Sequence, residues 1–146
     1  MKIRKMASGA ALLVLGALLP SAWAQLPKID IVQVTLPYEV IAGDKTLPPG
    51  EYTIEQMPTD GDSRVLMIHN SAGLKVKTTM ALTSRARDPQ APRESTVSLL
   101  HIGKNFYLDK VWVEGNPYGY VIALPWRLRN NEKDMETVVL PARTGQ

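Results

Sequence analysis

Apolar and polar residues alternate with a period of two through most of this chain, and proline or glycine breaks the alternation about every ten residues. A period of two sends successive side chains to opposite faces, which a strand accommodates and a helix does not. From Val32 the even positions read Val32, Val34, Leu36, Tyr38 and Val40, with Gln33, Thr35, Pro37 and Glu39 between them. This is an amphipathic strand, and because Pro37 cannot donate to a ladder the strand lies at an edge or bends there. In "KTLPPGEYTIEQM" (45–57) Pro49-Gly50 fits the central positions of a type II turn, with glycine taking the positive φ. Tyr52, Ile54 and Gln56 then alternate with Glu51, Thr53 and Glu55, and the Tyr52 hydroxyl is placed to return to the turn backbone as a tyrosine corner does.

Downstream, "RVLMIHN" (64–70) and "LKVKTTMAL" (74–82) flank Ser71-Ala72-Gly73 as a hairpin. In its second arm Leu74, Val76, Thr78, Met80 and Leu82 share one face, and Lys75, Lys77 and Thr79 the other. "TSRARDPQAPR" (83–93) reads as a loop. "STVSLLHI" (95–102), a turn at Gly103-Lys104 and "NFYLDKVWV" (105–113) form a second hairpin, followed by "YGYVIAL" (118–124). Residues 126–135 read as a loop or short helix, and "TVVL" (137–140) as a last strand. The pattern predicts an all-β, single-domain antiparallel β-sandwich or barrel of about seven to eight strands. Val34, Leu36, Tyr52, Ile54, Val76, Met80, Leu99, Leu108 and Trp112 are its expected core; Gln33, Glu55, Lys75 and Lys77 are its expected surface.

The strings "VTLPYEVIAGDKTLPPGEYTIEQ" and "GKNFYLDKVWVEGNPYGYVIALP" resemble a group of small exported bacterial proteins of uncharacterised function. The shared pattern falls on Gly43, Leu47, Pro48, Gly50, Tyr52, Tyr107, Leu108 and Trp112. The resemblance implies an exported all-β protein and carries no catalytic residue across.

The N-terminus reads as a secretory signal peptide. Lys2, Arg4 and Lys5 precede an apolar run from about Ala7 to Leu19, Pro20 ends it, and Ala22-Trp23-Ala24 places small residues at a cleavage site. The run is shorter than the roughly 20 residues a bilayer span requires. Cleavage after Ala24 predicts one domain over residues 25–146, general secretory export and a periplasmic or extracellular location. The three basic residues of the signal account for the whole formal charge of +3, so the cleaved chain is neutral and offers nucleic acid no electrostatic footprint. With no cysteine there is no disulfide, no thiolate metal site and no bacterial lipid anchor.

The search for chemistry gives little. His69 shares the parity of Val65 and Met67, and His101 that of Val97 and Leu99, which places both on inward faces as structural histidines; no metal or cofactor is expected. No serine stands in a Gly-x-Ser-x-Gly turn, so no catalytic residue is assigned. "LPARTG" (140–145) differs from the cell-wall sorting motif by one extra residue and has no apolar tail behind it. Phe106, Tyr107, Trp112, Tyr118, Tyr120 and Trp126 crowd one stretch. Tyr118, Tyr120 and Trp126 are therefore candidate binding residues, because exposed rings stack sugars or anchor partners. The arginines of the 83–93 loop, Arg85, Arg87 and Arg93, are the other candidates. The leading expectation is a non-enzymatic binding or structural module whose partner is a protein, glycan or small molecule. The alternatives are a small-ligand carrier, which needs a hollow barrel, and a hydrolase, which needs a histidine converging with a hydroxyl and a carboxylate. For the exported protein, intact mass and N-terminal sequencing are expected to show Gln25 first; a retained Met1 in that fraction contradicts the export reading.

Overall fold

The structure, a computed structural model, describes residues 30–58, 63–71, 78–130 and 134–145. The expected signal segment 1–24, the Ala72-Gly73 turn, Leu74, Lys75, Val76 and Lys77 lie outside the described residues. The strands are β1 (Ile31–Leu36), β2 (Val40–Ala42), β3 (Lys45–Leu47), β4 (Gly50–Gln56), β5 (Val65–Asn70), β6 (Thr78–Arg87), β7 (Thr96–Ile102), β8 (Asn105–Trp112), β9 (Tyr118–Ile122) and β10 (Met135–Thr144). Eight of them close an antiparallel barrel in the order β8–β7–β10–β1–β4–β5–β6–β9, with β9 returning to β8. Of the two architectures that the sequence left open, the chain adopts the barrel. The β2–β3 hairpin stands outside the ring, with β2 parallel to β8.

Closure depends on two ten-residue strands that change neighbours part-way along. In β6, Thr78–Leu82 pair with β5 and Thr83–Arg87 with β9. At that corner the Thr83 N–H donates to the Arg64 carbonyl at 2.7 Å on one side, and the Ala123 N–H donates to the Leu82 carbonyl at 3.3 Å on the other. In β10, Met135–Pro141 pair with β7 and Ala142–Thr144 with β1. The Ala142 N–H donates to the Ser95 carbonyl at 3.0 Å, so the even amides of β10 face β7 and the odd ones face β1. Arg143 is therefore hydrogen-bonded to Gln33, and the next such pair would join Thr35 to Pro141. Proline has no N–H, and the β1–β10 ladder stops at Val34 and Ala142.

Each change of neighbour leaves a notch in the wall. One lies along the first half of β6, away from β5, and the β2–β3 hairpin occupies it. β2 pairs with β8 at Phe106 and Tyr107, and a Cβ on Gly43, at the hairpin turn (φ +63), would stand 4.0 Å from the Met80 carbonyl oxygen. The other lies along β10 before Pro141. No described strand occupies it.

The interior is filled by Val32, Val34 and Leu36 of β1, Tyr52 and Ile54 of β4, Leu66 and Ile68 of β5, Val97 and Leu99 of β7, Leu108 and Val111 of β8, and Tyr120 and Ile122 of β9. Burying one such aliphatic side chain contributes roughly 1.5–3 kcal/mol. The Tyr52 hydroxyl donates to the Pro48 carbonyl at 2.7 Å, the tyrosine-corner bond. Burial pushes the Tyr52 phenol above its usual range, and a hydrogen bond with Asn70 offsets part of the rise.

Several local expectations are corrected. Val32–Val40 is not one continuous strand: the bend expected at Pro37 is a full interruption, and the chain resumes as β2 at Val40. Gly50 has φ +155 and is the first residue of β4, opposite Leu36, whereas a type II turn needs about +80. Strand β6 continues to Arg87, so Arg85 and Arg87 belong to a strand and not to a loop. Met80 faces outward, 59% exposed, because β6 follows the inward Leu66 of β5 and places Ala81 opposite it. Trp112 also faces outward. Its register passes from Leu108 opposite Leu99 to Lys110 opposite Ser98, and the bulged Asp109 reverses the parity of everything after it.

The Trp112 ring lies flat over Gly119 of β9, where an added Cβ would stand 2.6 Å from its Cε3. Gly119→Ala is expected to cost about 1–3 kcal/mol, since the indole cannot give way without leaving the sheet. Equilibrium denaturation checks this, and adding Trp112→Ala to Gly119→Ala should recover part of the Gly119→Ala loss.

Candidate functional site

Across the outer faces of β10, β1, β4, β5 and β6, the register places Arg143, Gln33, Thr53, His69 and Thr78 each directly opposite the next. With strands about 4.8 Å apart, this polar row is about 19 Å long. Its side chains are held out by the same alternation that turns Val32, Val34, Tyr52, Ile54 and Ile68 inward.

Beside the row, on the side toward the N-terminal end of β4, Thr35 stands opposite Glu51, and the Ser71 N–H donates to the Glu51 carbonyl at 2.9 Å. Here the opening of the β1–β10 seam forms a half-open cleft of about 590 Å³ lined by Gln33, Thr35, Glu51, Ser71, Pro141 and Arg143, with Val34, Tyr52 and Ala142 at its base. On the other side of the row, Met67 stands opposite Met80 and Val65 opposite Leu82, an apolar strip whose Met80 and Leu82 are exposed. The face thus passes from cleft to polar row to apolar strip.

Hydrogen bonds link members of the row to one another and to neighbours beside it. The hydroxyls of Thr53 and Ser71 are 3.1 Å apart. His69 Nε2 lies 2.8 Å from Glu55 Oε1, and its Nδ1 lies 2.9 Å from Thr78 Oγ1. A carboxylate only accepts, so Nε2 carries the proton, and in the neutral ring Nδ1 accepts the Thr78 hydroxyl. The result is a carboxylate–imidazole–hydroxyl chain across three strands on the outside of the barrel. This corrects the inward placement of His69: the buried parity of β5 is that of Leu66 and Ile68.

His101 lies elsewhere. It stands opposite Phe106 and Glu136, with its ring stacked on Phe106 at 4.4 Å and its Nδ1 3.6 Å from Glu136 Oε2. Tyr38 stacks on Phe106 at 4.2 Å. These rings stack at the end of the barrel that carries the β7–β8 turn, and the two histidines do not share a site.

The candidates named from sequence do not form one surface. Tyr120 is buried inside the barrel and donates its hydroxyl to Asp30 Oδ2 at 2.8 Å; Arg85 lies over its ring, 4.7 Å from the centroid. Arg87 and Tyr118 are exposed and directly opposite each other. Trp126, 72% exposed, begins a short 3-10 helix (Trp126–Leu128) past the far end of β9, and Arg93 is exposed in the segment after β6. No group of three or more His, Asp or Glu among the described residues is arranged to hold a metal ion. No protein-family model, curated protein or solved structure matches the chain.

Sequence reasoning missed Arg143, Thr53 and Thr78 as members of one row. Their outward parity was readable for β4, but which residues stand opposite one another is set by register across five strands. In mildly alkaline solution, nitrogen NMR is expected to show His69 as the Nε2–H tautomer. Glu55→Leu should shift it toward a mixture of tautomers, and an unchanged spectrum would mean that the Glu55 bond does not orient the ring.

Proposed function

We propose that this chain is an exported, non-enzymatic β-domain acting as a binding or structural module, with the outer face of β10, β1, β4, β5 and β6 as its contact surface. The observation that carries the reading is the unbroken polar row from Arg143 to Thr78 beside an open cleft. A guanidinium, an amide, hydroxyls and an imidazole supply directional hydrogen bonds, and the Met67–Met80 and Val65–Leu82 pairs supply apolar area. A small-ligand carrier needs a hollow barrel, and the apolar filling of this one favours the module. The partner classes that suit such a face are a protein, a glycan or a small polar molecule in the periplasm or outside the cell. The test is capture of a partner from the exported fraction on immobilised protein. Gln33→Ala with Thr53→Ala is expected to abolish the capture, and Arg87→Ala with Tyr118→Ala to leave it intact. The opposite pattern would move the contact surface to the Arg87–Tyr118 corner.

One observation favours a second reading, a hydrolase: the Glu55–His69–Thr78 chain has the donor order of an acid–base–nucleophile triad. Under the leading reading, p-nitrophenyl acetate is cleaved no faster than by free imidazole. Turnover that is lost in Thr78→Val and in His69→Gln would establish the hydrolase instead.

A further inference from the structure

The barrel wall has two notches, and the chain fills one of them with its own β-strand. At the β6 corner the β2–β3 hairpin adds β2 to the edge of β8 and brings Gly43 against β6. At the β10 corner nothing among the described residues does the same. Strand β10 pairs with β7 through Met135–Pro141 and with β1 only through Ala142–Thr144. Its second edge before Pro141 is therefore unpaired among the described residues.

The direction of that edge follows from one hydrogen bond. Because the Ala142 N–H points to Ser95, the amides and carbonyls of Thr137 and Val139 point away from β7 into the notch. Unpaired main-chain groups in a row are a template for another strand. Of the usual defences of an edge strand, this one has only Glu136 at its start and Pro141 at its end; "TVVL" between them carries neither a charge nor a proline. Val139, 59% exposed, presents an apolar β-branched side chain on the outer face of that edge. The cleft at the end of the notch is within the size range of small-ligand sites. Its charged groups are of opposite sign, Arg143 on β10 and Glu51 on β4, which gives an entering chain a preferred direction.

We propose that the open β10 edge and its adjoining cleft bind an extended peptide segment of another protein by strand addition. The peptide forms main-chain hydrogen bonds with Thr137 and Val139, sets an apolar or β-branched residue opposite Val139, and directs a carboxylate toward Arg143. The proposal rests on the binding-module reading and names its partner class. The occupant is a single extended strand because what the notch offers is half of a ladder; at the other notch the chain likewise places a strand, β2, which pairs there with β8 and not with β6.

The probe is a phage-displayed library of random eight-residue peptides selected on the intact protein, with selected sequences resynthesised. Bound peptides are expected to slow hydrogen exchange at the Thr137 and Val139 amides. N-methylation of alternate peptide residues in one phase should weaken binding about tenfold or more, and in the other phase should leave it unchanged. Val139→Pro removes only an amide that faces the notch, as Pro141 already does at the corner, so it should fold and lose binding; Val139→Thr should retain it. Binding that survives N-methylation in both phases, or that survives Val139→Pro, overturns the proposal. A concentration-dependent dimer that protects the same two amides overturns it in favour of self-pairing. Peptides lost with Thr53→Ala but not with Val139→Pro overturn strand addition and leave the module reading standing. A library that yields no binder while the exported fraction still yields a partner overturns strand addition alone.

Discussion

Short strands close into a ring only if some of them serve two neighbours on different edges, and in this protein β6 and β10 carry that constraint. Each runs ten residues, pairs over its first part with one strand and over its second part with another. The core sits between the two halves of the wall that these strands join. Changing partners demands local chemistry at the corner. At β6 it is the Thr83 side chain, whose hydroxyl donates to the Arg64 carbonyl at 2.8 Å in parallel with its own amide. At β10 it is Pro141, which withholds a donor on the β1 side and costs nothing on the β7 side. Two different devices solve one geometric problem, and among the described residues the second leaves the wall open.

Much of the fold was readable in the alternation. The inward sets of β1 and β4, the β7–β8 hairpin and the Tyr52 return bond follow from period, turn residues and one aromatic position. What failed, failed at irregularities. Asp109 adds a residue to β8 without any glycine or proline to mark it, and so Trp112 changed face. In β6 the apolar face of the sequence is the outer one, because pairing to Leu66 and Ile68 outweighs the local pattern and small residues complete the inside. The candidate face was legible only in pieces: Gln33 and Thr53 were plainly outward, but their alignment with Arg143, His69 and Thr78 depends on pairings between residues up to about a hundred positions apart.

The two ends of the barrel carry different chemistry. At one end Asp30 accepts the Tyr120 hydroxyl and the Asn116 side-chain amide, at 2.6 Å for the latter, while its carbonyl accepts the Gln56 N–H at 3.0 Å. At the other, the rings of Tyr38 and His101 stack on that of Phe106. A polar clasp suits the end where a buried tyrosine must bond its hydroxyl, and a stack suits the end where the filling is apolar. Between them the interior is packed with mostly apolar side chains, and the polar row from Arg143 to Thr78 lies on the outside.

Strand β9 meets β8 over only two opposed pairs, Lys110 with Val121 and Val111 with Tyr120. That seam is the shortest join in the ring, and the indole of Trp112 spans it from outside by covering Gly119. One of the chain's indoles is thus built into the shortest join of the cylinder, where parting of β8 from β9 would uncover it, whereas Trp126 is already 72% exposed.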